Sequence, residues 1–164
     1  MKTEDFLARI EKTTHEELLK LFDSLPAANV DESLAKWEGH NIDIGHPSAK
    51  KMNIAQWWGK WFVSADEAIP LIEYNDARSE LHSDKDAMRG EACLKMMAFR
   101  EVVSLTMVYD GEPAFDNFRK VNGDILLGCM SGKTTSGGMQ IAPQGMYYFW
   151  WMKRTQDFPV KFKR

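Results

Sequence analysis

VVSLTMVYDGEPAFDNFRKVNGDILLGCM, residues 102–130, is the stretch that decides the fold. Two runs rich in β-branched and aromatic residues, 102–109 and 115–121, flank Asp110-Gly111-Glu112-Pro113, and a third, 125–130, follows Asn122-Gly123-Asp124. Connections this short only reverse the chain, so the runs are antiparallel neighbours. Working outward, 93–99 precedes them and 146–152 follows, which makes an antiparallel meander over 91–154. A curved sheet of this kind rolls up or closes on itself. The expected fold class is therefore α+β, a meander rolled into a partial or closed barrel with N-terminal helices packed against it.

Upstream the texture is mixed. Thr13 or Thr14, with Glu16 or Glu17 three residues on, has the capping-box spacing, and Leu18, Leu19, Phe22 and Leu25 form an apolar stripe that Pro26 ends. Over 34–44 the residues Leu34, Trp37, Ile42 and Ile44, with Gly39 between them, favour an irregular strand. Ser48 is placed to cap a helix with the stripe Met52, Ala55, Trp58 and Phe62, Trp57 and Trp61 lying on an adjoining face. Ser64 and Glu67 repeat the cap spacing before a short helix that Pro70 limits. Residues 73–90 are polar and aperiodic and read as a mobile connection of the kind that acts as a lid. Residues 131–144, with Gly132, Gly137 and Gly138, read as a flexible loop at one rim. The expected organisation is a single domain over 1–164, with helices and the first strand in 1–72 and the meander in 91–154. Its helices are expected to cover one opening of the rolled sheet.

Composition narrows the function. Among 164 residues, 21 Lys+Arg face 24 Asp+Glu for a net charge of -3, too little positive field to hold a phosphate backbone, so nucleic acid is excluded as a partner. The charged N-terminus lacks an apolar run of signal-peptide length, and no later run suits membrane insertion. A soluble cytoplasmic protein is expected. Cys93 and Cys129 lack ligand-like spacing and read as buried small hydrophobes. The 6 Trp and 10 Met point to a wide, mouldable apolar interior.

Chemistry-bearing residues cluster in the meander. A period of two sends Phe115, Asn117, Arg119 and Val121 to one strand face, and Asp116, Phe118 and Lys120 to the other. Either face would bring an ionisable group into an apolar cavity. His40, Asp43 and His46 match no metal-ligand spacing, and Gly132-Lys133-Thr134 lacks the earlier glycine of a P-loop. No Gly-x-Ser-x-Gly elbow exists. No metal and no cofactor is expected.

Ala35-Lys36-Trp37-Glu38-Gly39, with Ile44-Gly45-His46-Pro47 and Trp57-Trp58-Gly59-Lys60-Trp61-Phe62, resembles the family named after its Gly-x-Trp-x-Gly (GXWXG) motif. The 102–110 run, with Pro113, Asp116, Phe118, Arg119, Lys120 and Leu127-Gly128, resembles the domain of unknown function that usually follows it. Ala35 stands where the family has its first glycine, and Arg100-Glu101 and Asn117 differ from the usual Arg-Gly and His. A changed polar group in the pocket would suit a specialised ligand. The resemblance implies a compact α+β or barrel-like intracellular protein and no particular reaction.

Two functions lead, with a structural or interaction module as a third. One is a cofactor-free enzyme that binds a small hydrophobic molecule in a Trp- and Met-rich pocket and directs cyclisation, isomerisation or dehydration of a terpenoid- or polyketide-like intermediate. The other is a passive fatty-acid or lipid carrier whose head group pairs with Arg119 or Lys120. In the first, Asp116, Tyr109 and Arg119 are the catalytic candidates, because the hairpin turn brings Tyr109 and Asp116 to one end of the sheet. Trp37, Trp58, Trp61, Met107, Asn117, Phe118 and Trp150 are the expected contacts to the bound molecule. The sequence leaves the oligomeric state open.

Overall fold

The computed structural model describes residues 1–133, 135–136 and 139–164, with side chains outside 134–140. Helices α1 (Thr3–Ile10), α2 (His15–Ser24) and the single turn α3 (Val30–Ser33) lead into β1 (Ala35–Asn41) and α4 (Pro47–Ile54). Strands β2 (Trp57–Ser64), β3 (Glu67–Tyr74), β4 (Glu80–Ser83), β5 (Ala92–Phe99), β6 (Val102–Tyr109) and β7 (Ala114–Lys120) follow. The chain ends with β8 (Ile125–Gly132), the small pair β9 (Thr135–Ser136) and β10 (Met139–Gln140), then β11 (Tyr148–Thr155) and β12 (Lys161–Lys163).

Eight antiparallel strands close into a barrel in the order β3-β2-β1-β11-β8-β7-β6-β5. Closure runs through Ala68 and Ala92, the point where β3 meets β5. β4 pairs with β3 outside the ring, and β12 lies parallel on β4. Arg164, just past β12, binds Glu67 at the start of β3 and Glu91 just before β5, and so ties the two closing strands together.

Among the described residues the apolar side chains form three clusters, two of which bear on the site. Trp37, Phe62, Leu105, Met107, Phe118 and Trp150 fill the barrel. Phe6, Leu18, Leu21 and Phe22 of α1 and α2 pack on the outer wall against Leu127, Cys129 and Phe149, each large side chain contributing about 1.5–3 kcal/mol. These helices cover the side of the barrel, not an opening as expected. The Thr14 capping box does form, with the side chain of Glu17 as its partner.

Several expectations are corrected. The helix over 48–62 stops at Ile54 because Gln56 turns left-handed at φ 55, and the aromatic and β-branched run that follows is strand β2. A bulge at Trp58 and Gly59 changes which residues point inward: Trp57 precedes it facing the barrel, while Lys60 and Phe62 face inward after it. Ser64 closes a turn by accepting from the Asp66 N–H, so 64–70 is no helix, and Pro70 sits in β3 at a second irregularity. The polar run 73–90 contains β4, whose Leu81 is fully buried. The expected rim loop 131–144 contains the β9–β10 pair, while Thr134, Gly137 and Gly138 lie outside the described residues. Among the described residues no helix is long and apolar enough to cross a membrane.

Candidate functional site

Helix α4 starts at Pro47, and its cap is the His46 side chain, whose Nδ1 accepts from Ser48 N–H at 3.1 Å. With Nδ1 accepting, Nε2 carries the proton and donates to the Ile141 carbonyl at 3.2 Å. Burial lowers the pKa of this imidazole and keeps it neutral. The helix is thereby fixed over one end of the barrel, where it helps to enclose a cavity of about 310 Å³.

Met52 of α4 and Ala55 at its C-terminal cap, Trp57 and Lys60 of β2, and Leu71 and Glu73 of β3 form one side of the cavity. Tyr109, Asp116, Met130, Tyr148 and Trp150 come from the meander, and Asp84, Ala87 and Met88 from the turn after β4. The Trp57 and Trp150 rings are admitted by missing side chains. A Cβ on Gly39 would lie 2.2 Å from the Trp57 ring, and one on Gly128 would lie 2.4 Å from Trp150. Trp37 of the same motif points into the barrel below the cavity and donates its indole N–H to the Ser33 carbonyl at 2.8 Å.

A polar cluster is built into this apolar wall. Lys60 Nζ lies 2.9 Å from Asp116 Oδ2, and the side chains are 3% and 2% exposed. Lys60 also donates to the Pro70 carbonyl at 3.1 Å, and Tyr109 donates its hydroxyl to Asp116 Oδ2 at 2.9 Å. Burial is the main influence on both donors: it lowers the Lys60 pKa against the opposing pull of Asp116, and raises that of the Tyr109 phenol. Tyr148 donates to the Asn41 side chain, and burial pushes its pKa up as well. The indole nitrogens of Trp57 and Trp150 have no partner among the described residues, and indole can only donate.

Glu73 is the second polar feature. Its residue is 8% exposed, and no hydrogen bond to its side chain occurs among the described residues. Burial, with the Asp84 carboxylate as a smaller contribution, raises its pKa from 4.5 to about 7. Because the folded value is the higher one, the folded state holds more protons across that window, and stability falls as pH rises through it. Glu73→Gln should remove this cost. Urea unfolding is expected to show the variant gaining about 1–3 kcal/mol over the wild type at about pH 8 relative to about pH 4. A pH-independent difference would mean that Glu73 titrates normally.

The structure brings Tyr109, Asp116 and Trp150 together and separates other candidates from them. Trp37, Met107 and Phe118 lie in the barrel without lining the cavity. Trp58 and Trp61 are outside, edge-on to Phe158, because the β2 bulge reverses their direction. Asn117 and Arg119 are also on the outer face. Asn117 donates to the Cys129 carbonyl and Ser131 Oγ, and Arg119, 0% exposed, stacks 4.6 Å from the Phe22 ring and donates to the Phe99 carbonyl. Asn117 is therefore no pocket variation, and Arg119 is no anion partner within the cavity. Lys120 pairs with Glu32 elsewhere. Lys60, Glu73, Asp84, Trp57 and Tyr148 are cavity residues absent from the expected site. A lysine embedded in the aromatic run 57–62 was the available signal. Among the described residues no group of three or more His, Cys, Asp or Glu is placed to hold a metal.

A closed antiparallel barrel with a small polar cluster in an apolar end cavity is the class that this fold and site define. The sequence matches the GXWXG protein family over residues 20–77 and the Domain of unknown function (DUF4334) over residues 90–154. The two matches follow one another along the chain, and both regions supply strands to the one barrel. A crystal structure of a protein from Thermomonospora curvata is similar to it, with a TM-score of 0.80 and 28% identity over 93% of this chain and 95% of that one. No curated protein matches the sequence.

Proposed function

We propose that the protein is a cofactor-independent acid–base catalyst that binds a small, mainly apolar carbonyl compound and moves a proton within it. Isomerisation or dehydration of a terpenoid- or polyketide-like molecule is the reaction class. The observation that carries this reading is Glu73, a carboxyl without a hydrogen-bond partner among the described residues in the wall of an apolar cavity, with a pKa of about 7. A group near neutrality both takes and returns a proton at ordinary pH, and a positioned group of this kind contributes about 10²–10⁴-fold to rate. The cavity volume, about 310 Å³, is at the small end for ligand sites. The unpartnered indole donors suit an acceptor oxygen on the ligand.

The carrier reading is the weaker one. A fatty-acid head group needs a free cation, and of the lysines lining the cavity Lys60 is already paired with Asp116 while Lys51 lies on the exposed side of α4. Glu73 and Asp84 would also repel a carboxylate.

The test uses cyclohexanone in D₂O, with ¹H NMR following loss of the protons next to its carbonyl. The wild type is expected to accelerate exchange, and Glu73→Gln to slow it by about 100-fold or more. Occupancy is read in the same samples from quenching of Trp fluorescence. Equal exchange by both proteins at equal occupancy would remove Glu73 from the chemistry.

A further inference from the structure

We propose that Lys60 Nζ is a nucleophile that captures an aldehyde or ketone in the cavity as a Schiff base. This deepens the reading of the site as a carbonyl-binding cavity and rests on it. The geometry is specific. The amine belongs to a side chain that lines the cavity, held between Asp116 Oδ2 at 2.9 Å and the Pro70 carbonyl at 3.1 Å. It lies 5.3–5.4 Å from the Trp57 and Trp150 ring centroids and 5.8 Å from that of Tyr109. A buried ion pair gives a fold little over well-packed apolar residues of the same volume, so stability alone does not call for a lysine here. An amine whose pKa is lowered by burial in an aromatic pocket has the reactivity of an imine-forming lysine.

The step balances without an oxidant or reductant. Asp116, hydrogen-bonded to the ammonium, takes one of its protons, and the nitrogen lone pair forms a C–N bond to the carbonyl carbon as the C=O π pair moves to oxygen, which then takes a second proton from the nitrogen and restores its lone pair. That oxygen then leaves as water, protonated by Glu73, as the second lone-pair donation from nitrogen closes the C=N bond. Net, the Lys60 ammonium and the carbonyl give iminium and water, the proton that Asp116 received matching the one that Glu73 gave up. The iminium acidifies the neighbouring C–H bonds, which is where a carboxyl such as Glu73 would act next. The titratable side chains lining the same cavity are Lys51, Glu73, Asp84, Tyr109, Asp116 and Tyr148.

Wild-type protein with cyclohexanone and sodium cyanoborohydride near neutral pH, followed by peptide mapping, tests this directly. The reduced cyclohexyl adduct is expected on the peptide bearing Lys60, enriched at least about tenfold over any exposed lysine. Mapping the wild type makes the result independent of whether Lys60 variants fold. Adducts on exposed lysines only, or none, would overturn the proposal. Cyclohexanol, which has similar bulk and forms no imine, separates the two readings. If it quenches Trp fluorescence while cyclohexanone leaves Lys60 unmodified, the Schiff base falls and the binding cavity stands. If neither compound binds, both readings fall together.

Discussion

Lys60→Met should destabilise the protein by about 3–5 kcal/mol, the cost of leaving a buried carboxylate without its counter-charge. Asp116 is 1% exposed, and apart from Lys60 the partner bonded to its carboxylate is Tyr109. One neutral hydrogen bond does not replace an ammonium in an interior that water does not reach. For a chain of this length the loss corresponds to a melting temperature lower by on the order of 10 °C. Adding Asp116→Asn to the same chain removes the unpaired charge while keeping an acceptor for Tyr109, and should recover most of the stability. Thermal unfolding of wild type, both single variants and the double variant measures the coupling. A Lys60→Met protein within about 1 kcal/mol of wild type would mean that the pair is solvated and the cavity wet.

Gly39→Val should abolish ligand binding and cost a further about 1–3 kcal/mol, the usual penalty for overfilling a packed interior. The first atom added at Gly39 falls 2.2 Å from the Trp57 ring, and that ring lines the cavity. Backbone in a closed barrel has little room to yield, so the indole moves, and the cavity is the space it moves into. Quenching of Trp fluorescence by cyclohexanone is the measurement, with affinity expected to drop by about 100-fold or more. Combining Gly39→Val with Trp57→Ala relieves the collision, so the two changes should be non-additive by about 0.5–3 kcal/mol. This explains in steric terms why the last glycine of the GXWXG motif is needed. Ala35, at the first position of the motif, packs against the barrel core without such a conflict.

The meander is legible because its runs are rich in apolar, β-branched and aromatic residues and Asp110-Gly111 and Asn122-Gly123 reverse the chain between them. The β2–β3 hairpin was not. Trp57, Trp58, Trp61 and Phe62 recur at helical spacing, and the bulges at Gly59 and Pro70 break the alternation that would have marked two strands. A helical reading of 57–62 hides Lys60 among the aromatic residues, and Glu73 opens a polar run that carries no apolar period. Tyr109 and Asp116 were found because hairpin pairing alone brings them to one end of the sheet, where the phenol reaches the carboxylate. Arg119 and Asn117 were misplaced for a different reason: a period of two says which residues share a face, and the packing of α2 decides which face is outside. The departure at Arg100-Glu101 is likewise conformational. Both residues have positive φ, 50° and 64°, in the turn between β5 and β6, where the family's glycine would be at ease.

The proposed chemistry requires Glu73 to be a near-neutral carboxyl inside a ligand cavity. Carbon-13 NMR of side-chain-labelled glutamate, titrated with and without cyclohexanone and assigned by the loss of one signal in Glu73→Gln, measures this without any assumption about turnover. The expected result is one carboxyl titrating at about 7, moving higher when the bound ketone buries it further. A Glu73 that titrates with the exposed glutamates, or one that does not move while Trp fluorescence reports full occupancy, would contradict the account.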